Sequence, residues 1–247
     1  NPPEFLLTHP ITSSRVSDAF NAADQIEFSG GKKNTINFEF VKGRLKERYA
    51  DYSPQTKVRF FESLYADNPT NENKYSFISA LQSNGQTEEA LKLISEILNK
   101  FPKNLILNIT KSEILLSGQR LDDAKQIIDE VLKISPNNYP ASILKSKILS
   151  AKKETIKAEE ILRDLLISKN RNPSLWMQLS EVQRAGKNIV GYHLSRGEYF
   201  TLIGDFDNAL NQFQFALGLS GNSFQTSETI MTKIKFVQSR LAKRRGI

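Results

Sequence analysis

A pattern of one small residue and two bulky residues on a single helical face, closed by proline, recurs in this chain every 34 residues. Ala90, Ile94, Ile97 and Pro102 form one copy, and Ala124, Ile128, Val131 and Pro136 the next. Ala158, Leu162 and Leu165 keep the interval, with the proline arriving late at Pro173. Upstream, Phe61 and Pro69 form a degenerate copy with Lys57 in the small position. A unit of this length holds two helices and their turns. Alanine lets the helices approach, and residues four and seven further on fill the gap along the same face. Gly85 and Gly118 fall where the first helix of a pair must stop, and glycine tolerates the left-handed C-terminal conformation. Thr87 and Asp122 or Asp123 are candidate caps for the next helix, and Pro102 and Pro136 end it.

The last third changes phase. Gly197, Phe200, Gly204, Ala209, Phe213 and Ala216 make the best copy, yet Ala209 follows Ala158 by one and a half units. Between them a separate helix starts at Asn172-Pro173, carries Trp176 and Leu179, and ends near Gly186. One helix must therefore change its packing role or be shared by two pairs. The fold expected is all-α: a helical-repeat solenoid of about four to five helix pairs with one extra half-repeat, preceded by a short helix and a linker. Ser13 or Ser14 caps that short helix, which runs to about Ile26, and Ser29-Gly30-Gly31-Lys32-Lys33 reads as flexible.

Composition excludes several functions. With no cysteine there is no disulfide framework, thiolate zinc site or cysteine nucleophile. No apolar run is long enough to span a membrane as a helix. The chain opens with Asn-Pro-Pro and shows no signal-peptide pattern, so it reads as a processed or excised piece. A formal charge of +7 suggests nucleic acid, but the charge is not spread. Residues 222–247 hold Lys233, Lys235, Arg240, Lys243, Arg244 and Arg245 against Glu228 alone, five of the seven surplus charges. Basic residues near a helix C-terminus are favourable with its dipole, which suffices to explain them.

The chain also lacks a catalytic apparatus. His9 and His193 are its only histidines, and no HExxH, phosphate loop or nucleophile elbow occurs. Asp122-Asp123 and Glu159-Glu160 are sequence neighbours that face no common site. His193, inside a helix, reads as a packing residue, as do Phe200 and Phe213.

The spacing of small and aromatic residues over 36–221 resembles the tetratricopeptide repeat (TPR), although Ile78, Ser112 and Ser146 stand where that repeat prefers Gly or Ala. The resemblance implies that the first helix of each pair lines a partner-binding groove. Carried over by position, the groove residues are Tyr75, Ser79 and Gln82; Ile109, Glu113 and Leu116; Ile143 and Lys147; and Met177, Glu181 and Arg184. Apolar steps and both charge signs alternate there, which suits a peptide segment held by a few apolar anchors. The dicarboxylate clamp of cytosolic co-chaperones is absent, since it needs Lys and Asn at some of these positions.

Phe5-Leu6-Leu7-Thr8-His9-Pro10 with Arg15, and Tyr192 to Phe200 ahead of a basic tail helix, resemble periplasmic zinc metalloproteases of the beta-barrel assembly-enhancing type. In that family an HExxH domain precedes a TPR domain. The resemblance implies three segments: 1–35, a loop, helix and linker leading from a protease domain; 36–221, the repeats; and 222–247, a basic C-terminal helix. It implies outer-membrane assembly clients or machinery, and the protease domain itself, as partners. It also implies a periplasmic location, no cofactor in this chain, and zinc in the full-length protein, with His9 an extra zinc contact there. The alternative is a free-standing TPR adaptor with no attached enzyme.

Overall fold

The computed structural model describes residues 35–221 and 223–244; the helix expected up to Ile26, the glycine linker and His9 lie outside them. The described residues form twelve helices and no strand: α1 (Ile36–Tyr49), α2 (Pro54–Asp67), α3 (Asn71–Ser83), α4 (Thr87–Lys100), α5 (Leu105–Ser117), α6 (Leu121–Ile134), α7 (Tyr139–Ala151), α8 (Thr155–Lys169), α9 (Pro173–Ala185), α10 (Ile189–Leu202), α11 (Phe206–Leu219) and α12 (Phe224–Arg244). Contacts divide the chain into Asn1–Phe38 and Glu39–Ile247. In the first unit, the Phe38 amide donates to the Thr35 hydroxyl at the start of α1. The rest of α1 and all later helices belong to the second unit.

Helices α3, α5, α7 and α9 start 34 residues apart, and so do α4, α6, α8 and α10. Ala90, Ala124 and Ala158 are fully buried, with Ile94, Ile128 and Leu162 beside them. In the third copy the longer α8 buries Leu166, and Leu165 packs at the edge of the same core. Ser112 and Ser146, at the small position of the first helix, are buried as well. Ser112 donates to the Ala124 carbonyl at 2.8 Å, so the small pair is also a hydrogen-bonded pair.

The helix ends differ from expectation in two ways. First helices α3, α5, α7 and α9 are capped by Thr70, Asn104, Asn138 and Asn172, whose side chains accept an amide of the first turn. Second helices α4, α6 and α8 have no side-chain cap, and Thr87, Asp122 and Asp123 lie inside the first turn. The turns between partners hold a left-handed residue at Gly85, Gln119, Lys153 and Lys187, again 34 apart. The next amide bonds back to the preceding helix, as Arg120 does to the Leu115 carbonyl at 2.9 Å, which satisfies a terminal acceptor. Gly118 is therefore not the left-handed residue. It supplies space: a Cβ there would lie 2.5 Å from Thr87 Cγ2.

The phase change resolves as a shared helix. By spacing α10 is the partner of α9, and Gly191 and Ser195 turn toward that helix, Ser195 donating to buried Gln183 at 2.7 Å. By motif α10 is the first helix of a pair with α11, because Gly197 lies directly against the Phe213 ring. Its start agrees with the second role: Asn188 caps it, as asparagine caps α5, α7 and α9. A helix that packs on two sides needs small residues on both, which Gly191, Ser195 and Gly197 provide.

Candidate partner-binding surface

First helices touch one another across the pairs, α5 with α7 and α7 with α9. They form a close inner row, the place where repeat arrays present a binding face. At its N-terminal end α1 lies close on α3. A Cβ at Gly43 would come within 2.5 Å of the Glu72 carbonyl oxygen, and Ser76 donates to the Gly43 carbonyl at 3.0 Å. Phe40 packs on the Tyr75 ring at 5.3 Å. Arg44 Nη2 donates to Tyr75 Oη and Thr110 Oγ1, both at 3.0 Å, and to Glu113 Oε2 at 2.7 Å. One guanidinium thus joins three first helices. Burial works against its charge, but Tyr75 and Glu113 more than offset this. Burial also pushes the Tyr75 phenol up, so it stays protonated between Arg44 and Thr110.

The eleven groove positions fall into different environments. Tyr75, Ser79 and Ile109 are buried. They form the floor, because α1 covers the first of them, and a partner cannot reach their side chains. Glu113 is half-buried under Arg44. Gln82, Leu116 and Ile143 are half-buried and Lys147 is exposed, with no side-chain hydrogen bond or ion pair from any of them to another of the eleven. Ile143 packs at the edge of the Leu149, Leu162 and Leu179 core. Met177 is held by the shared helix, its Sδ 3.4 Å from Arg196 Nη1. Glu181 and Arg184 are exposed and pair with each other at 2.6 Å. Tyr75 and Glu113 are thus brought together, as are Glu181 and Arg184; the rest are strung along the row.

Sequence reasoning missed Arg44, Val41 and Leu45. A signal was present: Val41 and Leu45 precede Tyr75 and Ser79 by one 34-residue interval. His193 is part-buried as a packing residue, its Nδ1 2.9 Å from Gln212 Oε1 and its ring between Tyr192 and Phe215. Phe213 is buried, whereas Phe215 and Phe224 are exposed.

Residues 81–134, from the end of α3 through α6, match the tetratricopeptide repeat family. Among solved structures, the chain is similar to a tetratricopeptide repeat protein of Parabacteroides merdae, at 15% identity over 91% of this chain and 90% of that one, with a TM-score of 0.49. It is also similar to a thermophilic TPR protein of Thermus thermophilus, at 17% identity over 81% and 99%, TM-score 0.49. A human IFIT1 dimer with m7Gppp-AAAA gives a TM-score of 0.51 at 13% identity, over 90% of this chain and 56% of that one. At 13% identity the likeness to IFIT1 is one of fold alone.

Proposed function

We propose that this chain is a non-catalytic protein-interaction scaffold, and that it serves a periplasmic zinc metalloprotease of the beta-barrel assembly-enhancing type. The scaffold reading is carried by the TPR match at 81–134 on helix pairs that repeat at the same interval. Leu116, Ile143, Lys147, Glu181 and Arg184 are its reachable inner surface. The finer reading is supported by the Phe5 to Pro10 and Tyr192 to Phe200 resemblances. Tethering would raise the concentration of clients at the protease, so modest affinity suffices. Among the described residues no three His, Asp or Glu side chains gather to hold a metal. The m7Gppp-AAAA of the IFIT1 complex is not carried over, because the likeness is of fold alone and five of the seven surplus charges lie in residues 222–247.

Two measurements test the two levels. A photo-crosslinker at Leu116 or Lys147 should capture an outer-membrane assembly protein in the producing cell. The same group at Ile156 or Ile167, exposed on second helix α8, should not. Equal capture from both faces would sink the inner row. An HExxH-coding stretch upstream of Asn1 is expected; a gene that starts near Asn1 behind a signal peptide makes the chain a free-standing adaptor.

A further inference from the structure

The first helix of the array has an outer side that its successors do not. Val41, Leu45 and Tyr49 recur every four residues along α1 and are 46%, 47% and 79% exposed. One interval later, Tyr75 and Ser79 occupy the positions of Val41 and Leu45 and are buried, Tyr75 under Phe40 and Arg44 of the preceding first helix. One interval further, Ile109 is buried and Glu113 accepts from Arg44. In α3 this face lies under Phe40 and Arg44 of α1, and in α5 Arg44 and Tyr75 reach Glu113 and Thr110.

The stripe has charged borders of one sign. On a helical projection Arg48 flanks it on one side, where Arg44 is turned inward to Glu113, and Lys42 and Lys46 flank the other. Lys42 and Lys46 share the single carboxylate of Glu72, and Arg48 is exposed with no ion pair among the described residues. The acidic residues of α1 are engaged: Glu47 is buried with Lys57, and Glu39 accepts from Asn71 of α3. A positive surplus therefore borders an apolar stripe. That combination is complementary to a helix with aliphatic residues along one face and carboxylates beside them.

We propose that the outer face of α1 docks an acidic amphipathic helix of a partner protein, in the slot that a preceding first helix fills elsewhere in the array. This rests on the scaffold reading and adds the partner's chemistry. A lipid surface fits less well. The stripe is three residues long, and the back of α1 is locked to α3 by Gly43 and Arg44, so the helix cannot roll into a bilayer.

The test uses the full chain and a fluorescent 18-residue helical peptide with leucines at i, i+4, i+7 and i+11 between glutamates. Fluorescence anisotropy should show saturable binding, with Kd on the order of 10 µM. The same peptide with lysine for glutamate should bind at least about tenfold more weakly. Leu45→Asp and Arg48→Glu should each weaken the acidic peptide by roughly tenfold with helicity and Tm preserved, because both side chains are exposed. Ile156→Asp should leave it unchanged. Equal affinity for both peptides overturns the proposal. So does binding that survives Leu45→Asp, even where the inner-row crosslinks are found. Adsorption to phosphatidylglycerol vesicles without peptide binding would make the face a membrane contact instead.

Discussion

Lys57 stands where later repeats carry alanine, and its surroundings account for the exception. Its Nζ donates to the Glu47 carbonyl at 2.8 Å and pairs with the same residue's carboxylate at 3.2 Å. Ser83 donates to that carboxylate as well, at 3.1 Å. A charge at a packing position is tolerable because it is paired and hydrogen-bonded. Glu159 does the same work further along. Burial raises its pKa, but hydrogen bonds from Gln183 at 2.9 Å and from Arg163 outweigh this and hold the carboxyl below the usual range. A folded pKa below the unfolded one means stability that is complete above about pH 4.3 and lost as pH falls through the folded value. The Tm advantage of the native protein over Glu159→Gln should therefore be full at pH 6 and shrink below about pH 4. An advantage that persists unchanged at pH 3 would refute the role given to this carboxylate. None of this is visible in the sequence, where Glu159-Glu160 is one more charged helix start. The partners lie 4 and 24 residues away, and only the packing of α9 on α8 brings Gln183 in.

Helix α10 is half legible in the sequence. Gly197 to Ala216 carry the repeat's motif plainly, because residues at helical spacing share a face. That α10 also closes on α9 depends on Gly191 and Ser195, small residues that match no motif. The left-handed residues Gln119, Lys153 and Lys187 are hidden for the opposite reason, since no glycine marks them. Tyr75 holds a groove position by spacing and is floor in the structure, because its cover, α1, belongs to the most degenerate copy. The two glycines of the α10–α11 pair should respond oppositely to alanine. At Gly197 a methyl group would enter the Phe213 ring, an overpacking of about 1–3 kcal/mol. At Gly218 it meets nothing within 4 Å, so helix propensity alone acts and gives up to about 1 kcal/mol of stabilisation. Urea unfolding of the two variants checks the signs; equal shifts would mean that α10 and α11 are not in close contact.

Across the whole molecule, stability in a repeat array is a sum of units and of the contacts between neighbours. The repeats from α3 to α8 follow that scheme: each pair has its own small-residue contact and its own turn. The end of the array does not divide so cleanly. Helix α10 touches α9 and α11, and Glu198 reaches Lys233 of α12. Ile230 and Val237 of α12 are buried against α11.

A chain pulled from its two ends would register that difference as step length. Earlier pairs can detach one at a time, each releasing the contour of 34 residues. Helices α9 to α12 have no seam at which a pair can leave intact, since freeing either neighbour of α10 strips one of its two faces. In an optical trap they should give way together, as a single extension about twice that of one pair. Two separate steps of one pair each would show that the helix is shared in geometry but not in strength.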